Sequence, residues 1–148
     1  MGELPGSILF ACTMNAVRSP MAEGLFKHLH GKRIYVDSVG LKQAPLDPLV
    51  IEVMAEIGID LRRHSAKTFE DLADTSFDVI VTLAPEAQHH AIEMTRIMAC
   101  DVEYWPTFDP TIIEGSREAR LAAYRDVRDQ LLRRIRERFP PPRTMEKS

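Results

Sequence analysis

Apolar residues fall along this chain in short bursts, and the period of the bursts alternates. Ser7 to Ala11 is a short apolar run with the length of a buried strand. After it, Met21, Leu25, Phe26 and Leu29 recur at helical spacing, with Ser19 as the expected N-cap, Pro20 at the first helical position and Gly31 as the stop. Arg33 to Asp37 reads as a second strand and Ser38-Val39-Gly40 as a turn. A second helix is expected from Pro48, capped by Asp47, with Val50, Val53, Met54 and Ile57 inward and Gly58 at its end. Thr68 to Ala73 reads as a short capped helix. Phe77 to Leu83 is the clearest strand, because a nearly continuous β-branched run suits a sheet covered on both faces. Pro85 opens a helix to about Ala99, and Val102 to Trp105 is a fourth strand stopped by Pro106. Ser116 to Phe139 is a long amphipathic helix with Leu121, Tyr124, Val127, Leu131 and Ile135 on its apolar face.

Strands alternating with helices predict an α/β, three-layer fold: a four-stranded parallel sheet with helices on both faces. Sites in such sheets lie beyond the carboxyl ends of the strands. The loop beginning at Cys12 and the loop Thr107 to Thr111 both fall on that rim. Residues 1–139 are expected to form one domain, and 140–148, opening with three prolines, a disordered tail.

Charge and composition narrow the partners. A net charge of -3 and a pI near 5.9 lack the basic surplus of a general nucleic-acid binder, so no nucleic acid is expected. No apolar run approaches the roughly 18 residues of a membrane span, so no membrane is expected either. The first residues have neither a basic n-region nor a cleavage site, which makes a cytoplasmic location the expectation. Two cysteines cannot build a disulfide framework. No metal is expected: His89 and His90 are adjacent and His28 and His30 two apart, so neither pair shares a helix face. No nucleotide-binding glycine motif is present, so no cofactor is expected. The protein is expected to be a monomer or weak dimer.

The segment Cys12-Thr13-Met14-Asn15-Ala16-Val17-Arg18-Ser19 places a cysteine and an arginine between a strand and a helix start. A loop of that length can curl so that successive N–H groups face inward and cradle an oxyanion. The helix behind it adds unpaired N–H groups and the positive end of its dipole. Arg18 brings a planar fork that matches two phosphoryl oxygens. The same field favours a thiolate on Cys12, a nucleophile suited to phosphorus. The Ser19 hydroxyl is placed to donate to that sulfur when it becomes the leaving group. Attack also requires an acid at the departing oxygen. Asp109, after strand four on the same rim and stiffened by Pro110, is the candidate, later serving as base toward water.

These residues resemble the low-molecular-weight protein tyrosine phosphatases, a family of flavodoxin-like single domains. The likeness runs through nearly the whole chain. It includes Arg18-Ser19-Pro20-Met21-Ala22-Glu23, Asp37-Ser38-x-Gly40, Gly58-Ile59-Asp60, Arg63-His64-Ser65-Ala66-Lys67, the third strand and Asp109-Pro110. The resemblance implies a flavodoxin-like fold and a phosphomonoester hydrolase acting on phosphorylated protein or a small phosphomonoester through a phosphocysteine. It implies Cys12 as nucleophile, Arg18 as phosphate ligand and Asp109 as general acid. It further implies that Asn15, Ser38 and His64 form a hydrogen-bonded set bracing the phosphate loop. From the residues alone, His64 reads as a solvated loop histidine.

The departures shape the expectation. The family loop reads Cys-x-Gly-Asn-x-Cys-Arg-Ser; here Met14 replaces the glycine, restricting the backbone and adding bulk at the pocket mouth. Val17 replaces the second cysteine, removing the neighbour for a protective disulfide. No aromatic ring occurs in Leu41 to Leu46 or Thr111 to Ile113, where the family walls its cleft; Phe108 is a partial substitute or a core residue. Cys100 precedes strand four at its amino end, about 17 Å along the sheet from the Cys12 edge. That is beyond the roughly 7 Å a disulfide allows. Two rivals follow. Arsenate reductases share the fold and loop, and one branch needs further cysteines after strand three. Ala84 to Gln88 has none, leaving a reductase that uses an external small thiol. The other rival is a silent module that binds phosphate or a phosphopeptide, kept open by Met14.

Overall fold

Ser7–Cys12 form strand β1 of the computed structural model, which describes residues 4–72 and 76–141. The chain continues through α1 (Arg18–His30), β2 (Tyr35–Gly40), α2 (Pro48–Ala55), a 3-10 turn (Phe69–Asp71), β3 (Val79–Thr82), α3 (Pro85–Met94), β4 (Asp101–Tyr104), a second 3-10 turn (Pro110–Ile112) and α4 (Arg117–Arg138). All strand pairs are parallel, in the order β2-β1-β3-β4. This is a three-layer, flavodoxin-like α/β sheet. Between β1 and β3 the connections leave in opposite directions, so a crevice opens at the carboxyl ends of those two strands. Cys12 is the last residue of β1 and sits at that crevice.

The pleat of β1 divides the core. Ile8 and Phe10 face α1 and α4, packing with Met21, Leu25, Phe26, Leu131 and Ile135. Leu9 and Ala11 face the other way, toward Ala87 and Ala91 of α3 and Phe69. The apolar face of α4 is interrupted by the buried Arg128, which donates to the Val53 carbonyl and to Glu56 at 2.8 Å each. Arg125, ahead of Arg128, holds the Glu56 carboxyl down to about 2.

Several boundaries differ from the sequence expectation. Ser38-Val39-Gly40 is not a turn but the second half of β2, paired with Phe10, Ala11 and Cys12; β2 starts at Tyr35 rather than Arg33. Helix α1 begins at Arg18, with Val17 at the cap position and no side-chain cap bond, so Ser19 is not an N-cap. Its hydroxyl is engaged with Cys12 and Asn15 instead. Pro20 still lies in the first turn, where its missing N–H costs nothing. The helix expected over Thr68 to Ala73 is a 3-10 turn closed by a Thr68–Asp71 capping box, and Ala73 lies outside the described residues. Helix α3 stops at Met94 rather than near Ala99, where Thr95 turns its hydroxyl onto the Ile92 carbonyl at 2.6 Å. The edges of β3, β4, α2 and α4 move by one to three residues. Of the tail expected to be disordered, residues 142–148 lie outside the described residues. No helix among the described residues is long and apolar enough to cross a membrane.

Candidate active site

Residues 13–17 leave β1 as an irregular loop that returns into α1. The carbonyls of Thr13 and Ala16, with that of Cys12 before them, are taken by the segment that follows β2. Leu41, Lys42 and Asp47 donate their backbone N–H groups to Cys12, Thr13 and Ala16 at 3.3, 3.0 and 3.1 Å. Asp47 is in turn anchored by the Tyr124 hydroxyl of α4 at 2.6 Å; burial, ahead of Asp47 itself, pushes that phenol up and keeps it a donor. With the carbonyls turned outward, the N–H groups of Thr13 through Ser19 find no acceptor among the described residues. Unpaired donors on a tight loop at a helix start form the cradle an oxyanion needs.

Asn15 makes the turn. Its φ of 53° is the one left-handed value at a non-glycine position among the described residues, a conformation Asn tolerates better than most side chains. Met14, which replaces the family glycine, has no such φ, so the loop closes with methionine in place. Its side chain is 39% exposed at the mouth. Gly40 is required by contact rather than by φ. A Cβ there would lie 2.5 Å from the Asn15 nitrogen and 2.6 Å from the Met14 carbonyl carbon.

The Asn15 side chain is wholly buried and four-coordinate. Its amide nitrogen donates to Ser19 Oγ at 2.9 Å and Ser38 Oγ at 3.0 Å. Its Oδ1 accepts the Lys67 N–H at 3.0 Å and lies 3.1 Å from His64 Nε2. Because Oδ1 can only accept, Nε2 carries the hydrogen. Ser38 passes its own hydrogen to Glu23 Oε1 at 2.5 Å. His64 Nδ1 lies 3.9 Å from the same oxygen. Burial lowers the pKa of His64 more than Glu23 raises it. Lys67 closes the set by pairing with Asp37 at 2.7 Å. Asn15, Ser38 and His64 are therefore brought together, along with Glu23 and Lys67, which the sequence reading did not single out. Their spacing in the sequence gives no signal; only the parallel register joins them.

Cys12 is 2% exposed, and its Sγ lies 2.9 Å from Ser19 Oγ. Ser19 accepts from Asn15, so its single hydrogen is shared between the sulfur and the Val39 carbonyl at 3.2 Å. Arg18 is half-buried and donates through Nη1 to the Thr107 carbonyl at 3.0 Å. Asp109 caps its 3-10 turn, Oδ1 accepting from the Thr111 N–H at 3.0 Å and hydroxyl at 2.7 Å. Its Oδ2 has no partner among the described residues. A cleft of about 600 Å³ gathers Cys12, Thr13, Met14, Ala16, Val17, Arg18 and Asp109, with Ala44, Ala84, Pro85, Glu86 and Thr111 as its remaining wall. Phe108 is 47% exposed, on the rim rather than in the core.

Cys100 lies one residue before β4, two strands and about five residue steps from Cys12, roughly 19 Å by strand spacing. Burial, ahead of Asp101, pushes its thiol up, which suits packing rather than attack. Among the described residues no group of three or more His, Cys, Asp or Glu is placed to hold a metal ion.

Comparison with known proteins finds relatives along nearly the whole chain. The family model described as low molecular weight phosphotyrosine protein phosphatase matches residues 7–139. An arsenate reductase of Halalkalibacterium halodurans is 34% identical over 131 residues, covering 87% of this chain and 91% of its own. A solved arsenate reductase in the phosphate binding state superposes with a TM-score of 0.68 at 29% identity, covering 88% of this chain and 94% of that one. The low molecular weight protein tyrosine phosphatase from T. tengcongensis gives a TM-score of 0.72 at 26% identity, covering 96% and 99%.

Proposed function

The chain belongs to the low molecular weight phosphotyrosine protein phosphatase family, and from that premise we propose that it is a cysteine-dependent phosphomonoester hydrolase. The observation that carries this reading is the 2.9 Å contact between Cys12 Sγ and Ser19 Oγ, at the base of a loop of unpaired N–H donors. In the first step the Cys12 thiolate attacks phosphorus; the S–P bond forms as the P–O bond breaks, and the leaving oxygen takes a proton from Asp109. Oδ2 is the oxygen free to carry that proton, because Oδ1 is held by Thr111. Arg18 and the loop N–H groups hold the three equatorial oxygens. In the second step the Asp109 carboxylate takes a proton from water, which attacks phosphorus. The S–P bond breaks, inorganic phosphate leaves, and Ser19 donates to the sulfur as its charge returns. The substrate class is a phosphorylated protein or small phosphomonoester of the cytoplasm.

A second reading has its own support, since relatives of 32 to 34% identity are named arsenate reductases. Here the Cys12 thiolate would attack arsenic, the S–As bond forming as an As–O bond breaks and its oxygen leaves as water. An external small thiolate would then attack the Cys12 sulfur. An S–S bond forms, and the S–As pair stays on arsenic as arsenite. A second external thiolate attacks the mixed disulfide, freeing Cys12 as the two external thiols leave as their disulfide. The external thiol is required because residues 84–88 hold no cysteine and Cys100 lies at the far edge. The silent-module reading rests on Met14, which takes its place in the loop without a left-handed φ.

The test uses reduced protein and Cys12→Ser, each given p-nitrophenyl phosphate near pH 6 and, separately, arsenate with a small thiol. Turnover of the ester that the variant loses supports the hydrolase. Arsenite production without ester turnover supports the reductase and overturns the first reading.

A further inference from the structure

The mechanism uses one of two carboxylates that line the cleft. Glu86 is the other. It occupies the first turn of α3 directly after β3. The Thr13 hydroxyl lies 3.4 Å from its Oε1. Its side chain is exposed, and no cation forms an ion pair with it among the described residues. A carboxylate in a first helical turn is favourable on its own account, but that does not explain a charge at the mouth of a pocket built for a dianion, where like charges repel. Arg18 is the only cation among the residues that line the cleft, and it sits at the base with the phosphoryl site. The rest of the wall is Met14, Ala44, Ala84, Pro85 and Thr111, which offer a leaving group no charge and no aromatic face. A group leaving the cleft therefore passes a carboxylate that nothing on the wall neutralises.

We propose that Glu86 determines specificity, selecting phosphorylated peptides that carry Lys or Arg beside the phosphorylated side chain. This rests on the hydrolase reading and deepens it: the phosphoryl site recognises the ester, and Glu86 reads the charge next to it. The contribution is a ground-state contact, so it belongs in KM rather than kcat. For a partly exposed pair it amounts to a several-fold preference, on the order of fivefold.

The experiment compares two phosphotyrosine peptides of equal length, one flanked by Lys and Arg and one by Asp and Glu, with p-nitrophenyl phosphate as reference. Wild-type protein is expected to favour the basic peptide in kcat/KM, with the ratio falling as salt rises. Glu86→Gln should bring the ratio toward one, and Glu86→Lys should invert it. Equal values for the two peptides in a wild type that hydrolyses the reference, or an unchanged preference in Glu86→Lys, would overturn the assignment and leave the hydrolase reading standing. Absence of turnover on all three esters would overturn both.

Discussion

Arg18 Nη1 donates to the Thr107 carbonyl at 3.0 Å, tying the phosphate loop to the loop that carries Asp109. The two come from opposite ends of the sequence and from strands on either side of β3. One N–H of the guanidinium fixes its plane, and the remaining donors have no acceptor among the described residues. Lysine keeps the charge but cannot serve both partners. Arg18→Lys is expected to lower kcat/KM for p-nitrophenyl phosphate by about 10²- to 10³-fold, measured by steady-state kinetics on the folded variant.

Asp109 faces the cleft with only Oδ2 free, so its role depends on the leaving group. Asp109→Asn should lower kcat/KM, which reports the first step alone, for a phenyl or alkyl phosphate by roughly 10²-fold or more. The loss should be smaller for p-nitrophenyl phosphate, whose phenolate leaves without a proton. Equal losses for good and poor leaving groups would remove the acid role.

Asn15 combines a left-handed backbone with four side-chain hydrogen bonds, two of them buried and two part-buried. Asn15→Ala is expected to cost about 2–4 kcal/mol in urea unfolding, from orphaned partners and backbone strain together. Asn15→Gly should recover the backbone part but not the kcat lost with the brace. Comparing the two variants separates loop conformation from loop support.

His30 supplies the acid sensitivity of the fold. It is 1% exposed, Nε2 lies 2.7 Å from the Phe139 carbonyl and carries the hydrogen, and Nδ1 is buried with no partner among the described residues. Burial, ahead of the other influences, lowers its pKa below 6.5. The unfolded chain thus binds the proton first, and stability falls as pH drops below about 6.5 toward the folded value. The slope from one such group is at most about 1.4 kcal/mol per pH unit. His64, also lowered by burial, adds in the same direction. His30→Phe loses the Phe139 bond at neutral pH, but its unfolding free energy should fall less between pH 7 and 5 than that of the wild type. Parallel pH profiles would contradict this.

The sequence was informative wherever chemistry and periodicity coincide. The β-branched run ending at Leu83 marks β3, and the Cys12–Arg18 spacing between a strand and a helix marks the loop. Ser38-Val39-Gly40 misled because small and turn-forming residues there serve the loop. Ser38 accepts from Asn15, and Gly40 leaves room for its backbone. Ser19 misled for the same reason, since its cap-like position reflects a bond to Cys12. Glu23 and Lys67 fall inside runs that carry the family resemblance, but nothing local gives either a role until the register brings it to the brace.

The central claim is a covalent phosphocysteine on Cys12. Asp109→Ala slows breakdown of that intermediate along with its formation, so p-nitrophenyl phosphate, which forms it without acid help, is the substrate to use. Rapid acid quench followed by peptide mass spectrometry should find the peptide containing Cys12 heavier by one phosphoryl group, and the peptide containing Cys100 unchanged. Hydrolysis with no phosphoryl adduct on Cys12, persisting in Cys12→Ser, would contradict the account.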